Sequence, residues 1–146
     1  MTLHELSRVY YIKMLMRETE ESLDDIKARI EPGIMNMSGM PHNPNVAKAI
    51  EIITPEIAKL KKQLLRETRI YGKELAELRK YIVFNTQDDY RMRTIMLYRF
   101  VHLCSWEEVA IKVGGNNTED SVKKACYRFI KKSQKSKSCP ECPAGM

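Results

Sequence analysis

Apolar residues recur along this chain at spacings of three and four, with no run of strict alternation, and that pattern predicts helix from end to end. Leu6, Val9, Met16, Leu23, Ile26 and Ile30 lie near helical spacing, and Tyr10, Tyr11 and Met14 widen the face, so one long helix is expected over Leu3–Glu31. Pro32-Gly33 should end it, because proline disfavours helix in the residue before it. Gly33–Asn45 reads as a loop from its prolines, glycines and asparagines. Ile34, Met35, Met37 and Met40 make that loop unusually apolar; packing against the helices is favoured for them over facing a partner. A short helix over Val46–Ile53 should stop before Thr54-Pro55. There an N-cap, a proline at the first helical position and Glu56 restart the helix, which then runs to about Phe84. Ile57, Leu64, Tyr71 and Leu78 recur every seven residues, and Leu60, Leu75 and Ile82 share their stripe. Gly72 is a weak point in it, costing about 1 kcal/mol against alanine.

Asn85–Asp88 breaks the pattern like a hinge, and a further helix follows over Asp89–Leu103 with Met92, Ile95, Met96, Phe100 and Val101 as its apolar residues. Ser105 and Glu108 have the spacing of a capping box, opening a helix in which Val109, Ala110 and Val113 share a face. Gly114 and Gly115 stop that helix, since glycine reaches left-handed backbone without steric cost. The next begins at Thr118 with Glu119 and Asp120 in its first turn, where the helix dipole favours acids. Val122, Cys126, Phe129 and Ile130 are its buried stripe. Asp120, Lys124, Tyr127 and Lys131 take the opposite side, flanked by Asn117, Ser121, Lys123 and Arg128. A helix with one apolar stripe and one cationic, hydrogen-bonding face suits the major groove of DNA, and the pair reads as a helix-turn-helix.

Composition adds to this. The 146 residues are 43% hydrophobic, too apolar for wholesale disorder. Lys and Arg (25) outnumber Asp and Glu (19), giving a net charge of +6 and a pI near 9.1, which favours polyanionic partners. The expected class is all-α: a long N-terminal helical hairpin or coiled-coil-like region over 1–85, a three-helix helix-turn-helix domain over 86–133, and a basic, disordered tail over 134–146. No apolar run resembles a signal peptide or approaches a membrane span, so a cytoplasmic location is expected, with no membrane partner.

A charged stripe runs beside the apolar one. Lys59, Lys62, Arg66, Arg69 and Lys73 step by three and four along one side of their helix, and like charges so placed repel unless something neutralises them. Phosphates would do so. The favoured alternative is pairing with the acidic block Glu18, Glu20, Glu21, Asp24 and Asp25, from the same chain folded back or from a second subunit of a homodimer.

Cys104 and Cys126 fall at core positions and read as buried thiols. Cys139 and Cys142 form a C-x-x-C pair, but a structural zinc site wants four ligands. A zinc shared between two chains is the only metal reading left to the pair, and a plain basic tail is favoured over it. No cofactor is expected. Nor is an enzyme: there is no phosphate loop and no supported Ser/His/Asp set, and the carboxylates sit in solvated charge blocks.

The run YRMRTIMLYRFVHLCSWEEVAIKVGG…TEDSVKKACYRFIKK, over Asp89–Lys132, resembles region four of bacterial sigma factors. Arg99-Phe100 matches the Arg-aromatic pair that ends that region's first helix, Trp106–Ala110 the Trp/Leu-Glu-Glu-Ile/Val-Ala helix, and Ser121–Lys123 the start of the recognition helix. The chain is most similar in layout to phage-encoded transcriptional regulators of the ArpU/RinA type, in which this module follows a helical N-terminal half. The turn Gly114–Thr118 is about two residues longer than the minimal motif, which puts the docking angle in doubt. The resemblance implies a sequence-specific regulator of late phage or prophage genes that binds double-stranded promoter DNA and touches RNA polymerase. In such a protein Lys123, Arg128, Lys131 and Lys132 would grip phosphates, while Asn117, Asp120, Ser121 and Lys124 would reach base edges. Trp106, at the start of the supporting helix, belongs to the core. Two other classes stay open: a small-terminase-like DNA-packaging subunit, and a module whose helix pair binds protein instead of DNA.

Overall fold

A computed structural model describes residues 1–35 and 44–135; side chains are described outside 31–35, 44–47, 49 and 50. The described chain is all-helical. Its order is α1 (Leu3–Met35), α2 (Pro44–Asn85), α3 (Tyr90–Met96), a π-helical turn (Leu97–Val101), α4 (Trp106–Val113) and α5 (Glu119–Lys135). Met37, Met40, the cysteine pair Cys139/Cys142 and most of the basic tail lie outside the described residues.

Both long helices outrun their expected ends. α1 continues through Pro32-Gly33 to Met35, because the bias against helix before a proline is a steric preference and not a prohibition. α2 begins at Pro44, whose missing N–H suits a first helical position, and it passes through Pro55 without a break. The expected stop and restart at Thr54-Pro55 therefore does not occur. Pro55 removes the hydrogen bond to the Glu51 carbonyl, but Glu51 and Pro55 are both exposed, so water can reach the carbonyl that loses its partner.

The chain divides into two compact units, residues 11–72 and residues 1–10 with 73–146. In the first, α1 and α2 run antiparallel. The Thr19 hydroxyl donates to the Glu67 carboxylate at 3.0 Å, and the Lys13 ammonium lies 5.6 Å from the Tyr71 ring centroid. Met16, Thr19 and Leu23 are buried on α1, whereas Ile57, Leu60, Leu64 and Tyr71 on α2 are only half-buried.

The favoured pairing of the charged stripe with the acidic block within one chain is not what the structure shows. Among the described residues, Glu21 pairs with Arg17 at 2.9 Å and Asp24 with Lys27 at 3.3 Å, both within α1. Lys59, Lys62, Arg66, Arg69 and Lys73 are all exposed, and among the described residues no ion pair involves them. The reason is geometric: Ile57, Leu60, Leu64 and Tyr71 point α2 inward, and the cations fall on the far side of the same cylinder.

In the second unit the first turns of α1 and the last turns of α2 belong with the C-terminal helices. Leu6 and Val9 are buried, as are Leu78 and Ile82, and Arg8 meets Glu74 at 3.7 Å. The Asp89 carboxylate caps α3 by accepting from the Met92 N–H at 2.9 Å. Arg93 ties down the preceding turn through the carbonyls of Thr86 (3.0 Å) and Gln87 (3.3 Å). The expected single helix over Asp89–Leu103 instead changes winding. α3 passes into the π turn, closed by the His102 N–H on the Leu97 carbonyl at 3.0 Å, and the chain then reverses at Leu103 with φ 58°. One π turn swings Phe100 and Val101 inward beside Ile95 and Met96, all of them buried.

Candidate nucleic-acid interface

α4 is the support. The Ser105 hydroxyl accepts from the Glu108 N–H at 3.2 Å, and the Glu108 carboxylate accepts from the Ser105 N–H at 2.7 Å. That backbone hydrogen bond holds the Glu108 carboxyl below the usual range. Two of the four N–H groups orphaned at the helix start are thus satisfied by one pair of side chains. Trp106, Val109 and Ala110 are buried, so Trp106 lies in the core, while Val113 is half-buried.

The helix stops at Gly114, with φ 72° and ψ −175°, a region open essentially to glycine alone. Five residues, Gly114–Thr118, then lead to α5. Asn117 organises them. Its amide nitrogen donates to the Gly114 carbonyl, and its side-chain oxygen accepts from Arg91 on α3 at 2.6 Å. Thr118 and Ser121 close the start of α5 reciprocally, the Thr118 N–H donating to Ser121 Oγ at 3.1 Å and the Ser121 N–H to Thr118 Oγ1 at 3.3 Å. Val122, Cys126 and Ile130 then bury one stripe of α5.

The opposite stripe is open. Asp120, Lys124, Arg128 and Lys131 are all exposed, and their spacings of four, four and three put them on one side of the helix. Lys132 is exposed at the margin and Lys123 is half-buried beside the core stripe. Among the described residues none of these five cations is in an ion pair. The remaining two candidates are differently placed. Asn117 is half-buried with both ends of its amide engaged, and Ser121 Oγ donates to the Thr118 carbonyl at 2.8 Å while accepting from its N–H. Both serve the turn, and a base edge would have to compete with those bonds.

Two residues outside the eight candidates shape this surface. Tyr127 is 38% exposed on the open side and sets its ring against Trp106, with centroids 5.8 Å apart and planes at 83°. Arg91 reaches the turn from 26 positions away in sequence. Tyr127 already stood on the exposed face by helical spacing; nothing local marks Arg91, because only the packing of α3 beside α5 brings it to Asn117.

The thiols are not part of the surface. Cys104 and Cys126 are free and buried, and burial pushes the Cys126 thiol up to about 12. Cys104 Sγ accepts from the Lys112 ammonium at 3.2 Å, a contact that raises the lysine above its ordinary value. Among the described residues no cluster of His, Cys, Asp and Glu could hold a metal, and no helix is long and apolar enough to cross a membrane. No family model, curated protein or solved structure matches the chain.

Proposed function

We propose that the chain is a sequence-specific DNA-binding regulator of transcription, with α5 as the helix that enters the major groove and α4 as its support. The observation that carries this reading is the open stripe of α5: Lys124, Arg128 and Lys131 exposed, in no ion pair among the described residues, and standing on a helix whose start is fixed by the capped turn. Three such charges displace counterions from duplex DNA and make affinity fall steeply with salt. Lys124 and Asp120, nearest the helix start, are the residues placed to reach base edges; Arg128, Lys131 and Lys132 hold phosphates, and Lys123 reaches past the core margin to do the same. Asn117 and Ser121 act first on the turn, and so on the angle at which α5 is presented. The resemblance of Asp89–Lys132 to sigma region four supports promoter DNA as the target and RNA polymerase as the second partner, in the setting of phage or prophage genes. A homodimer would present two reading helices to a symmetric site.

The test is selection from a pool of random duplexes across a salt series, followed by sequencing of what stays bound. An enriched motif, lost together with affinity in the double variant Lys124→Ala, Arg128→Ala at unchanged helicity, is the expected result. Salt-sensitive binding without any motif would replace this reading by a packaging or accessory DNA-binding role. Failure to bind at low salt would falsify it and leave a protein-binding module.

A further inference from the structure

We infer that the outward face of α2 in the 11–72 unit is a second nucleic-acid surface, which grips the phosphate backbone of a duplex without reading its sequence. Lys59, Lys62, Arg66 and Arg69 follow one another at spacings of three, four and three, and all four are exposed. They lie across the helix from the half-buried Ile57, Leu60, Leu64 and Tyr71, so they point away from α1. Among the described residues none of the four is in an ion pair, and the exposed Glu56, three positions before Lys59, makes none with it. Over residues 57–72 the only acid is Glu67, which is half-buried and engaged by Thr19 at 3.0 Å and Gln63 at 2.9 Å. Glu21 and Asp24 of α1 are matched by cations of their own helix.

Four like charges at these spacings repel one another, and a polyanion turns that repulsion into attraction. The dimensions fit one. Lys59 to Arg69 is ten residues, about 15 Å of helix, and a duplex carries about nine phosphates over that length of its axis. The side chains are long and their face presents no hydrogen-bonding fork pre-set by neighbours, so this surface recognises charge and spacing, not bases. It shares its partner with the reading of α5 given above but rests on separate residues.

The experiment measures duplex affinity of the full chain against salt, for the unaltered protein, a stripe variant (Lys59→Gln, Lys62→Gln, Arg66→Gln, Arg69→Gln) and the α5 variant (Lys124→Ala, Arg128→Ala). Circular dichroism checks that helicity is kept, which the exposure of every altered residue favours. The stripe variant should bind at least ten-fold more weakly at low salt, with a log–log salt slope shallower by up to about 3.6, four contacts at 0.9 each, and with its preferred sequence unchanged. The α5 variant should lose sequence preference and keep the stripe-dependent part of the slope.

A stripe variant with the unaltered slope and affinity overturns this inference and leaves the α5 reading standing. So does sedimentation showing that the stripe variant dissociates a dimer while binding DNA normally, which would assign the stripe to the acidic α1 of a second copy. So does retention on phosphatidylserine vesicles, lost in the stripe variant while its duplex binding is unchanged. An α5 variant with full sequence preference overturns the α5 reading and leaves the stripe. An unaltered protein that binds no duplex at low salt overturns both.

Discussion

Arg99 and Trp106 are stacked: the guanidinium carbon lies 4.9 Å from the indole centroid, and the same guanidinium donates to the Cys104 carbonyl at 2.8 Å. The π turn is thereby fastened to the start of α4 across the reversal at Leu103, and Tyr127 brings α5 to the same indole.

Replacing Arg99 by lysine keeps the charge and loses the planar fork that serves ring and carbonyl together. The expected cost is about 1–3 kcal/mol, from a cation–π contact and a charge-assisted hydrogen bond. Trp106→Ala should cost about 3–5 kcal/mol. Trp106 is the single tryptophan of the chain, so its fluorescence in denaturant follows this site for Arg99→Lys directly. An unchanged midpoint for Arg99→Lys would show the stack to be stabilising nothing.

Asn117→Ala removes the bond that joins the turn to Arg91 of α3 and the one that closes the turn on the Gly114 carbonyl. Unfolding free energy should fall by about 1–3 kcal/mol. If Asn117 acts through the turn, Arg91→Ala reproduces part of both the stability loss and any loss of duplex affinity. If it reads a base, Arg91→Ala leaves the preferred sequence untouched and Asn117→Ala changes one position of it.

Cys126 couples the core to alkaline pH. Its thiol is raised from 9.0 to about 12 in the folded protein, chiefly by burial, so above pH 9 the unfolded chain releases a proton that the folded chain keeps. The thiol's contribution to stability is therefore whole below pH 9 and is lost between pH 9 and 12. Cys126→Ala should remove part of that decline while lowering stability at neutral pH through the lost volume. The quantity to compare is the slope of unfolding free energy against pH in the two proteins; parallel slopes would show that the thiol contributes none of it.

Gly72 sits exposed inside α2, and a methyl group there would meet nothing within 4 Å. Gly72→Ala should raise stability by about 1 kcal/mol, through helix propensity alone. Thermal unfolding by circular dichroism checks it. A lower midpoint would mean that flexibility at this residue, where the two compact units divide, is worth more than helix propensity.

What was legible in the sequence is what local chemistry decides. Ser105 and Glu108 cap a helix because a hydroxyl and a carboxylate three residues apart can reach each other's backbone, and no tertiary contact is needed. The same holds for Thr118 at the start of α5 and for the buried stripe Val122, Cys126 and Ile130. Pro55 misled because its cost is local while the continuity of α2 is decided over forty-two residues. The π turn was hidden because its winding comes from burying Phe100 and Val101 together, with apolar spacing that fits an α-helix equally well. The cationic stripe misled only as to pairing within one chain. The acidic block of α1 matched it in size, but Ile57, Leu60, Leu64 and Tyr71 had already fixed which side of α2 faces in. Arg91 carries no local signal, because only packing brings it to Asn117.

Gly114, finally, has a backbone of the opposite hand. Its φ of 72° and ψ of −175° are the reflection of an extended conformation that an ordinary L residue adopts at ease. An L side chain there would be strained, although the space around it is open. A D-alanine would be at rest, and would narrow the freedom of the unfolded chain besides. At that residue the pose of α5 depends on chirality, not on contact. A semisynthetic protein could set how firmly α5 is held without altering any atom that the helix presents.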